Sequence, residues 1–167
     1  MLWSELCDGL QEIEQTSLRN VKTVKLAEIL KVAEEAEVGK LVYLVLGGLR
    51  PEYDRLEFNL AEKGIVRALG VDWAEYQKIG DLGEMVVKAK QTNKITSQQT
   101  NLNVTEVYGV LERIARESGS GSQERKVREL ARLVGQMEPT GAKYLVRMVA
   151  GKLRLGFSDR TVIDSIS

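Results

Sequence analysis

Apolar residues recur every three or four positions along most of this chain, and this helical spacing constrains its fold more than any other feature. The first stripe consists of Leu2, Leu6, Leu10 and Ile13. It lies on one face of a predicted helix that should end near Gln15. With only two prolines and 5% aromatic residues, the chain gives little sign of a β-rich fold. We therefore predict an all-α, multi-helix fold.

The same spacing predicts further helices as far as residue 90. The stretch KLVYLVLGGL, from Lys40, is nearly all apolar and is predicted as a buried helix, although a buried strand fits it as well. Shorter helices are expected at about 60–69, 72–78 and 81–90. Gly70 and Gly80, which follow the first two of these, are candidate C-terminal caps.

Residues 92–103, TNKITSQQTNLN, are polar, aperiodic and free of acidic side chains, so they are predicted to form a long exposed loop. This loop is a candidate boundary between two helical subdomains. A helix should begin after Asn103, which resembles a capping box together with Glu106 three positions later. Beyond that helix, Ser122 is predicted to cap the next one.

The end of the chain carries two predicted helices. The first should begin near Gly141 and end at Gly156, and the second should follow Ser158, a candidate N-cap. Because the second helix carries apolar residues almost to the last position, we expect the domain to be truncated at its C-terminal end. Residues 1–167 are taken together as this one domain.

Positive charge is concentrated in the second half of the chain. The sequence has 24 Lys and Arg residues and 24 Asp and Glu residues, so its formal net charge is zero. Residues 1–84 carry 10 basic and 16 acidic side chains, a net charge of −6, whereas residues 85–167 carry 14 and 8, a net charge of +6. Such asymmetry favours an anionic partner for the basic half. A merely solvated helical surface with uneven charge fits the counts equally well.

Composition excludes several classes of site. The chain has no histidine and a single cysteine, Cys7, so it cannot form an internal disulfide, a zinc site of the usual nitrogen and sulfur type or a histidine-dependent triad. It lacks the G-x-x-x-x-G-K-[ST] spacing of nucleotide P-loops. It also lacks a membrane-spanning apolar run and a signal peptide, which predicts a soluble, intracellular protein without a membrane partner. These absences indicate a binding protein rather than a stand-alone enzyme.

The stretch SGSGSQERK, residues 118–126, is the first candidate site for an anion. Small residues with accessible backbone amides lead into a helix N-terminus, where unpaired N–H groups and the helix dipole attract phosphate. Basic side chains follow within one turn. The same composition also suits a flexible connector, and both interpretations stay open at this point.

A second candidate lies in AKYLVRMVAGKLRLG, residues 142–156. At about 100° per residue on a helix, Lys143, Arg147 and Arg154 fall within about 40° of one another, whereas Lys152 points away from them. Gly151 interrupts this helix, which is understandable if a phosphate approaches its backbone closely. The alternative is ordinary helix packing at Gly151 with solvated Lys and Arg side chains.

A third candidate is EQTSLRNVK, residues 14–22, where Thr16, Ser17, Arg19 and Lys22 surround a predicted helix start. Hydroxyl groups and basic side chains at such a place can contact phosphate. A simple N-cap by Thr16 or Ser17 explains the hydroxyl groups without any ligand. The segment therefore gains interest only beside other phosphate contacts.

Taken together, these segments resemble one known family, the N-terminal DNA-binding domain of ATP-dependent DNA ligases of the archaeal and eukaryotic type. The stretch TGAKYLVRMVAGKLRLGFSDRTVIDSIS, from Thr140 onward, is similar to a signature in which a basic helix precedes G-K-L-R-L-G and a short terminal helix. The family's Gly/Ser turn, G-D-x-G-x-V segment and opening helix junction resemble IARESGSGSQERKVREL, GDLGEMV and IEQTSLRNVKTVKLAEIL. These segments occur in the family's order and cover almost the whole chain.

The resemblance implies an all-α domain that grips duplex DNA around a nick, mainly through the minor groove and the sugar-phosphate backbone, without base specificity. By position, it implies DNA contacts from Thr16, Ser17, Arg19, Gly119, Ser120, Gly121, Ser122, Lys143, Arg147, Gly151, Lys152 and Arg154. Hydroxyl groups, glycine amides and basic side chains at helix ends position DNA rather than read its bases. Nicked double-stranded DNA is therefore the expected partner of a monomeric protein.

The resemblance also implies what this chain lacks. The family's adenylated lysine lies in a K-x-D-G motif of a following domain, which is missing here; CDG at residues 7–9 lacks the lysine. ATP and a divalent metal such as Mg²⁺ are thus implied for the parent enzyme, and this chain should be non-catalytic alone.

The resemblance suggests a sliding clamp as a further partner, which would bind the predicted exposed loop. In some archaeal relatives this loop binds a sliding clamp through a glutamine followed by an aromatic pair, whereas SQQTNLNV here keeps the glutamines without the aromatics. A clamp is therefore a secondary candidate partner. The expected location is the cytoplasm in an archaeon and the nucleus in a eukaryote.

Two other functions are compatible with the sequence. A helical protein-interaction scaffold would bind an acidic partner with its basic face, would expose a contiguous apolar patch and would not bind nicked DNA. A sequence-specific helix-turn-helix repressor would carry Asn, Gln or Arg at the exposed start of a recognition helix, and SQERK matches this pattern weakly. The leading hypothesis is a domain that encircles nicked DNA.

Overall fold

The computed structural model describes residues 1–51, 54–95, 98–151 and 153–167, so Lys152, one of the predicted DNA contacts, lies outside the described residues. The described residues form ten α-helices and one isolated β-bridge, between Leu2 and Asn103, with no strand among them. The helices are α1 (Trp3–Glu14), α2 (Arg19–Val32), α3 (Glu35–Val45), α4 (Glu62–Ala68), α5 (Trp73–Ile79), α6 (Leu82–Gln91), α7 (Val104–Arg116), α8 (Ser122–Gly135), α9 (Pro139–Ala150) and α10 (Asp159–Ile166). The predicted all-α fold is confirmed.

Burial follows the apolar spacing closely in α1. Leu6, Leu10 and Ile13 are fully buried, as the first stripe predicts, and Trp3 joins them in the core. Leu2 is the exception, because it precedes the helix as its N-cap residue and is partly exposed. A one-sided apolar face thus fixes how α1 packs.

The predicted short helices are also present, with boundaries shifted by one or two residues. The apolar stretch from Lys40 forms the second half of α3 and the turn after it, so the helical alternative is the correct one. Asp72 caps α5 by accepting a hydrogen bond from the N–H of Ala74 at 3.4 Å, and Gly80 ends the same helix. Asp81 then caps α6 by accepting from the N–H of Gly83 at 2.9 Å.

Helices from both sides of the predicted loop at residues 92–103 pack together. Helix α6 lies against α9, α4 against α8, and α1 against α2, α7 and α9. A single cluster of buried side chains joins these contacts. The loop as a boundary between two subdomains stays a prediction.

The described part of the loop is largely exposed but is held at several points. The N–H of Gln98 donates to the carbonyl oxygen of Gly135 at 2.9 Å, and that of Thr100 donates to Gln136 at 3.1 Å. At the end of the loop, Asn103 accepts from the N–H of Glu106 at 2.8 Å and so caps α7, as predicted. The loop is thereby tied to the end of α8.

The predicted N-cap of α8 is wrong by one residue. Ser122 is the first residue of the helix, and Gly121, with a φ of +76°, is the N-cap residue. Gly121 has no side chain that could cap the helix, so its left-handed backbone conformation sets the start of α8 instead.

The predicted extent of α9 is also wrong. The helix begins at Pro139 rather than near Gly141, because proline suits the first helical position, where its missing N–H costs nothing. It ends at Ala150, because Gly151 adopts a φ of +72° and closes the helix as a left-handed C-cap. Leu153, Arg154, Leu155 and Gly156 therefore lie outside the helix.

The last helix agrees with its predicted cap. The hydroxyl oxygen of Ser158 accepts from the N–H of Thr161 at 3.3 Å. Val162 is buried, whereas Ile163 and Ile166 are each 58% exposed on the outer side of α10. No helix within the described residues combines the length and hydropathy that a membrane crossing requires.

Candidate nucleic-acid interface

Residues 153–156, which follow α9, form a turn that presents Arg154 to solvent. We call these residues the turn after α9. Leu153 and Leu155 are both buried, and Arg154 between them is exposed with a φ of +59°. In a non-helical segment alternate side chains face the same side, so both leucines face the core and Arg154 between them faces outward. Arg154 consequently lies outside α9 and does not share a helical face with Lys143 and Arg147, contrary to the sequence prediction.

The exposed side chain of Arg154 reaches toward the start of α6. Its Nη2 atom lies 3.4 Å from the carbonyl oxygen of Gly80. Non-glycine residues with positive φ are uncommon and cost energy, and they often occur at functional sites. The observed conformation therefore makes Arg154 the clearest candidate for a phosphate contact.

The start of α2 lies beside this turn through its contacts with α10. Arg19 pairs with Asp164 of α10 at 3.1 Å, and its side chain is 58% exposed. The hydroxyl oxygen of Thr16 accepts from the N–H of Leu18 at 3.2 Å, whereas Leu18 occupies the N-cap position. Thr16 and Ser17 are thus not the N-cap of α2, and Ser17 is exposed.

The Gly/Ser turn before α8 is exposed and is fixed by Arg125. The Arg125 guanidinium donates to the carbonyl oxygens of Ser120 at 2.8 Å and Ser118 at 3.0 Å, and also to Glu117 at 2.9 Å. These bonds occupy backbone oxygens of the turn and bring positive charge next to the N-terminus of α8. Gly119, Ser120, Gly121 and Ser122 therefore form a shaped turn rather than a free connector.

Helix α8 also holds the segment that precedes α4. Gln123 donates to the carbonyl oxygen of Asn59 at 3.1 Å, and the buried ammonium of Lys126 donates to that of Phe58 at 2.7 Å. A cleft of about 570 Å³ lies between this segment and the end of α9 at Gly151. Residues 55–60 line one side of the cleft, and Met148, Val149, Ala150 and Gly151 line another.

Lys143 and Arg147 face the interior rather than solvent. Lys143 lies 2.8 Å from Glu14 and 3.4 Å from Glu84, and Arg147 is only 3% exposed. Arg147 pairs with Glu14 at short distance and with Asp81 at 2.5 Å. We call Glu14, Asp81, Glu84, Lys143 and Arg147 the internal ion cluster.

The charges in this cluster reinforce one another's ionised states. Burial alone would raise the pKa of Glu14, but hydrogen bonds from Lys143 and Arg147 outweigh it and hold that pKa below its ordinary value. Burial likewise opposes a lowered pKa at Asp81, and the hydrogen bond from Arg147 again prevails. Burial and the neighbouring Glu14 carboxylate raise the pKa of the Tyr144 hydroxyl, which donates to Glu14 at 3.2 Å.

Three carboxylates and two cations give the internal ion cluster a net charge of −1 at neutral pH. A Cβ at Gly83 would collide with the Arg147 guanidinium, so the backbone of α6 lies directly against this side chain. A direct DNA contact by Lys143 or Arg147 stays a prediction, and it would require either side chain to leave these partners.

The structure thus brings together part of the predicted set. Arg19 and Arg154 lie on adjoining elements, connected by Lys22, whose ammonium donates to the carbonyl oxygen of Leu155 at 2.5 Å. The Gly/Ser turn lies before α8, on another part of the chain, and Lys143 and Arg147 lie inside. Sequence reasoning did not assign the supporting roles of Glu14, Asp81 and Arg125. Of these, only Asp81 carried a local signal, as an acidic residue directly before a helix.

Comparison with known proteins relates the chain to the N-terminal part of DNA ligases. The family described as DNA ligase N terminus matches residues 2–167. A DNA ligase of Pyrobaculum islandicum is 39% identical over 180 residues, which cover 100% of this chain and 31% of the relative. A probable DNA ligase of Dictyoglomus turgidum is 38% identical over 175 residues, covering 100% and 29%. The chain therefore spans less than a third of the length of these curated relatives. The match confirms the resemblance found in the sequence, and the chain belongs to the DNA ligase N-terminus family.

Proposed function

We propose that this chain binds nicked duplex DNA through the minor groove and the sugar-phosphate backbone, without base specificity, and that it serves nick sealing by a longer ATP-dependent DNA ligase. The observation that carries the proposal is the exposed, left-handed Arg154 in a turn tied to α2, within a chain of the DNA ligase N-terminus family. An arginine held in a costly conformation on the surface is well suited to a fixed phosphate position.

The proposed contacts come from groups that suit a phosphate backbone. Arg19 and Arg154 supply exposed guanidinium groups, and Thr16 and Ser17 supply hydroxyl groups at the start of α2. The turn at residues 119–122 supplies backbone amides at the N-terminus of α8, where the helix dipole favours an anion. None of these groups is arranged as a base reader in a recognition helix, so the proposal is sequence-independent.

In this proposal, Lys143 and Arg147 act mainly by holding other segments of the protein in position. Together with Glu14 and Asp81 they join α9 to the end of α1 and the start of α6. Thr16 and Ser17 follow Glu14 after one intervening residue, Gln15, and Arg154 lies near Gly80, which is next to Asp81. Gly151 and Lys152 complete the proposed set, with Lys152 outside the described residues.

The chemistry of nick sealing is proposed for other parts of the longer protein. The sequence lacks the K-x-D-G motif that would carry adenylate. Within the described ranges, no group of three or more Cys, Asp or Glu side chains is arranged to hold a metal ion. We assign no step of the reaction to the residues of this chain.

The test is a titration of fluorescently labelled nicked duplexes of two unrelated sequences at several salt concentrations. Both sequences should bind with equal affinity, and the logarithm of the binding constant should fall linearly with the logarithm of salt by about 0.9 for each phosphate contacted. The variant Arg19→Gln/Arg154→Gln should bind more weakly with a reduced slope. Binding that does not respond to salt, or that prefers one sequence strongly, would overturn the proposal.

A protein-interaction scaffold is the second candidate function, and one observation favours it. Ile163 and Ile166 are both 58% exposed on α10, and the same helix carries the exposed Arg160. Exposed apolar side chains near basic ones suit an acidic, amphipathic partner. This function would be supported by binding of an acidic helical peptide that depends on Ile163, in a protein that does not bind nicked DNA.

A further inference from the structure

We infer that Lys22 is a positioning residue for DNA binding, which holds the turn that carries Arg154 without itself contacting phosphate; this inference rests on the proposed function. Lys22 belongs to α2, and Arg154 lies in the segment between α9 and α10. The two residues are distant in sequence, and only the fold brings the Lys22 ammonium to this turn.

The turn around Arg154 needs an external restraint. Arg154 itself has a φ of +59° and Gly156 a φ of +71°, so two of three consecutive residues adopt the left-handed region. This conformation is unfavourable for a residue with a Cβ atom, and such strain persists only where neighbouring groups fix it. Burial of Leu153 and Leu155 supplies one restraint on the backbone.

Lys22 supplies the second restraint. Its Nζ atom donates at 2.5 Å to the carbonyl oxygen of Leu155, in the peptide group that joins Leu155 to Gly156. The same ammonium would lie 2.7 Å from a Cβ atom at Gly156, so the absence of a side chain there makes room for it. Moving the ammonium aside would break its hydrogen bond to Leu155. Glycine is therefore required at position 156 for two reasons: it adopts the positive φ, and it leaves space for the Lys22 ammonium.

The direction of the Lys22 side chain argues against a direct role on DNA. The side chain is half-buried, and its ammonium points at a backbone oxygen rather than outward like Arg19 and Arg154. Because α2 begins at Arg19, one turn before Lys22, the bond to Leu155 also fixes the distance between the two exposed arginines. Lys22 thus connects two of the proposed contact segments.

The first test compares Lys22→Met with Arg154→Gln and with the double variant on nicked duplex at several salt concentrations. Lys22→Met should lower affinity about tenfold, the order expected for losing one charged hydrogen bond that acts on binding. Its salt slope should equal that of the wild type, because no phosphate contact is lost. In the Arg154→Gln background the same substitution should have almost no further effect, since it acts through Arg154.

The matched control is Lys25→Met, which removes the same charge from the same helix one turn later. Lys25 forms an exposed pair with Glu12 at 3.1 Å and does not touch the turn. Its substitution should leave affinity within about twofold of the wild type, because exposed pairs contribute little. The variant Lys22→Gln, which keeps a donor on a shorter side chain, should fall between the wild type and Lys22→Met.

A second measurement does not depend on DNA. Amide hydrogen exchange of residues 153–157 in free protein should be faster in Lys22→Met than in the wild type and unchanged in Lys25→Met. A salt slope reduced by about 0.9 in Lys22→Met would overturn the inference, because it would make Lys22 a phosphate contact. Full additivity with Arg154→Gln, or unchanged affinity, would overturn it as well.

The two proposals fail in different ways. If the wild-type chain shows no salt-dependent binding to nicked duplex, the proposed function fails and the DNA role of Lys22 fails with it. If the wild type binds as proposed but Lys22→Met leaves both affinity and exchange unchanged, only the positioning role is wrong.

Discussion

The guanidinium of Arg147 lies 2.5 Å from a carboxylate oxygen of Asp81, and that carboxylate also caps α6 by accepting from the N–H of Gly83 at 2.9 Å. Arg147 pairs in addition with Glu14, the last residue of α1. One side chain of α9 therefore joins the start of α6 to the end of α1. Because Thr16 is only two residues after Glu14, this contact helps to set the position of a proposed DNA-contact segment from inside the protein.

The substitution Arg147→Met should be strongly destabilising. It leaves Glu14 and Asp81 partly buried without their main cation, and breaking one side of a buried pair typically costs about 3–5 kcal/mol. Urea denaturation of the two proteins measures the difference in the free energy of unfolding. Arg113→Met is the control, because the exposed pair of Arg113 with Glu129 should contribute about 0–1 kcal/mol. Equal effects of the two substitutions would contradict the role given to Arg147.

Acid should weaken the fold partly through Asp81. Because Arg147 holds the pKa of Asp81 below its ordinary value, the pair stabilises the protein fully above the unfolded carboxyl pKa of about 4. This contribution is lost as the pH falls through the lower pKa of the folded state. In Asp81→Asn, the free energy of unfolding should fall less steeply as the pH is lowered, and asparagine can still cap α6. Urea denaturation at several pH values measures this dependence. The same steepness in both proteins would contradict a stabilising role for the Arg147–Asp81 pair.

Arg154→Gly should separate stability from DNA binding. Glycine removes the cost of a left-handed residue, about 1 kcal/mol, and adds a similar entropy cost in the unfolded chain. The free energy of unfolding should therefore change by less than about 1 kcal/mol, whereas affinity for nicked duplex should fall about tenfold. Calorimetry and anisotropy measure the two effects. A large loss of stability would show that the guanidinium serves folding instead.

Gly151 allows a similar separation. Its φ of +72° strains most residues, but asparagine tolerates this region. Among the described residues, no atom outside its chain neighbours lies within 4 Å of where a Cβ would stand, so asparagine has room in the free protein. Gly151→Val should cost about 2 kcal/mol of stability. Gly151→Asn should be nearly neutral for folding but should weaken DNA binding if a phosphate approaches this backbone, and equal DNA affinity would argue against such an approach.

Local patterns predicted the helices well, for a physical reason visible in α1 and α10. A helix buries one face, so apolar spacing and a capping residue such as Ser158 record its position in the sequence itself. The same logic failed at α9, because the alternation around Leu153 and Leu155 imitates a helix edge. The left-handed conformations of Gly151 and Arg154 end that pattern, and periodicity does not reveal backbone conformation.

The candidate site was less accessible from sequence, as Arg147 and Lys22 show. Spacing correctly placed Lys143 and Arg147 on one face of α9, but whether that face is solvated depends on Glu14 and Asp81. Glu14 lies 133 residues from Arg147 in the sequence and Asp81 lies 66 residues away. Such distant partners leave no local pattern, so a basic stripe and a buried ion cluster look alike in one sequence.

Hydroxyl-radical footprinting of a nicked duplex tests the central claim most directly, because the radical cleaves sugars from the minor groove that the protein is proposed to cover. Two duplexes of unrelated sequence, each with one nick, would be compared with and without the chain. The account predicts protection of sugars on both sides of the nick, at the same distances from it in both sequences, and weaker protection with Arg154→Gln. Protection that follows sequence rather than the nick, or none at the nick under saturating protein, would contradict it.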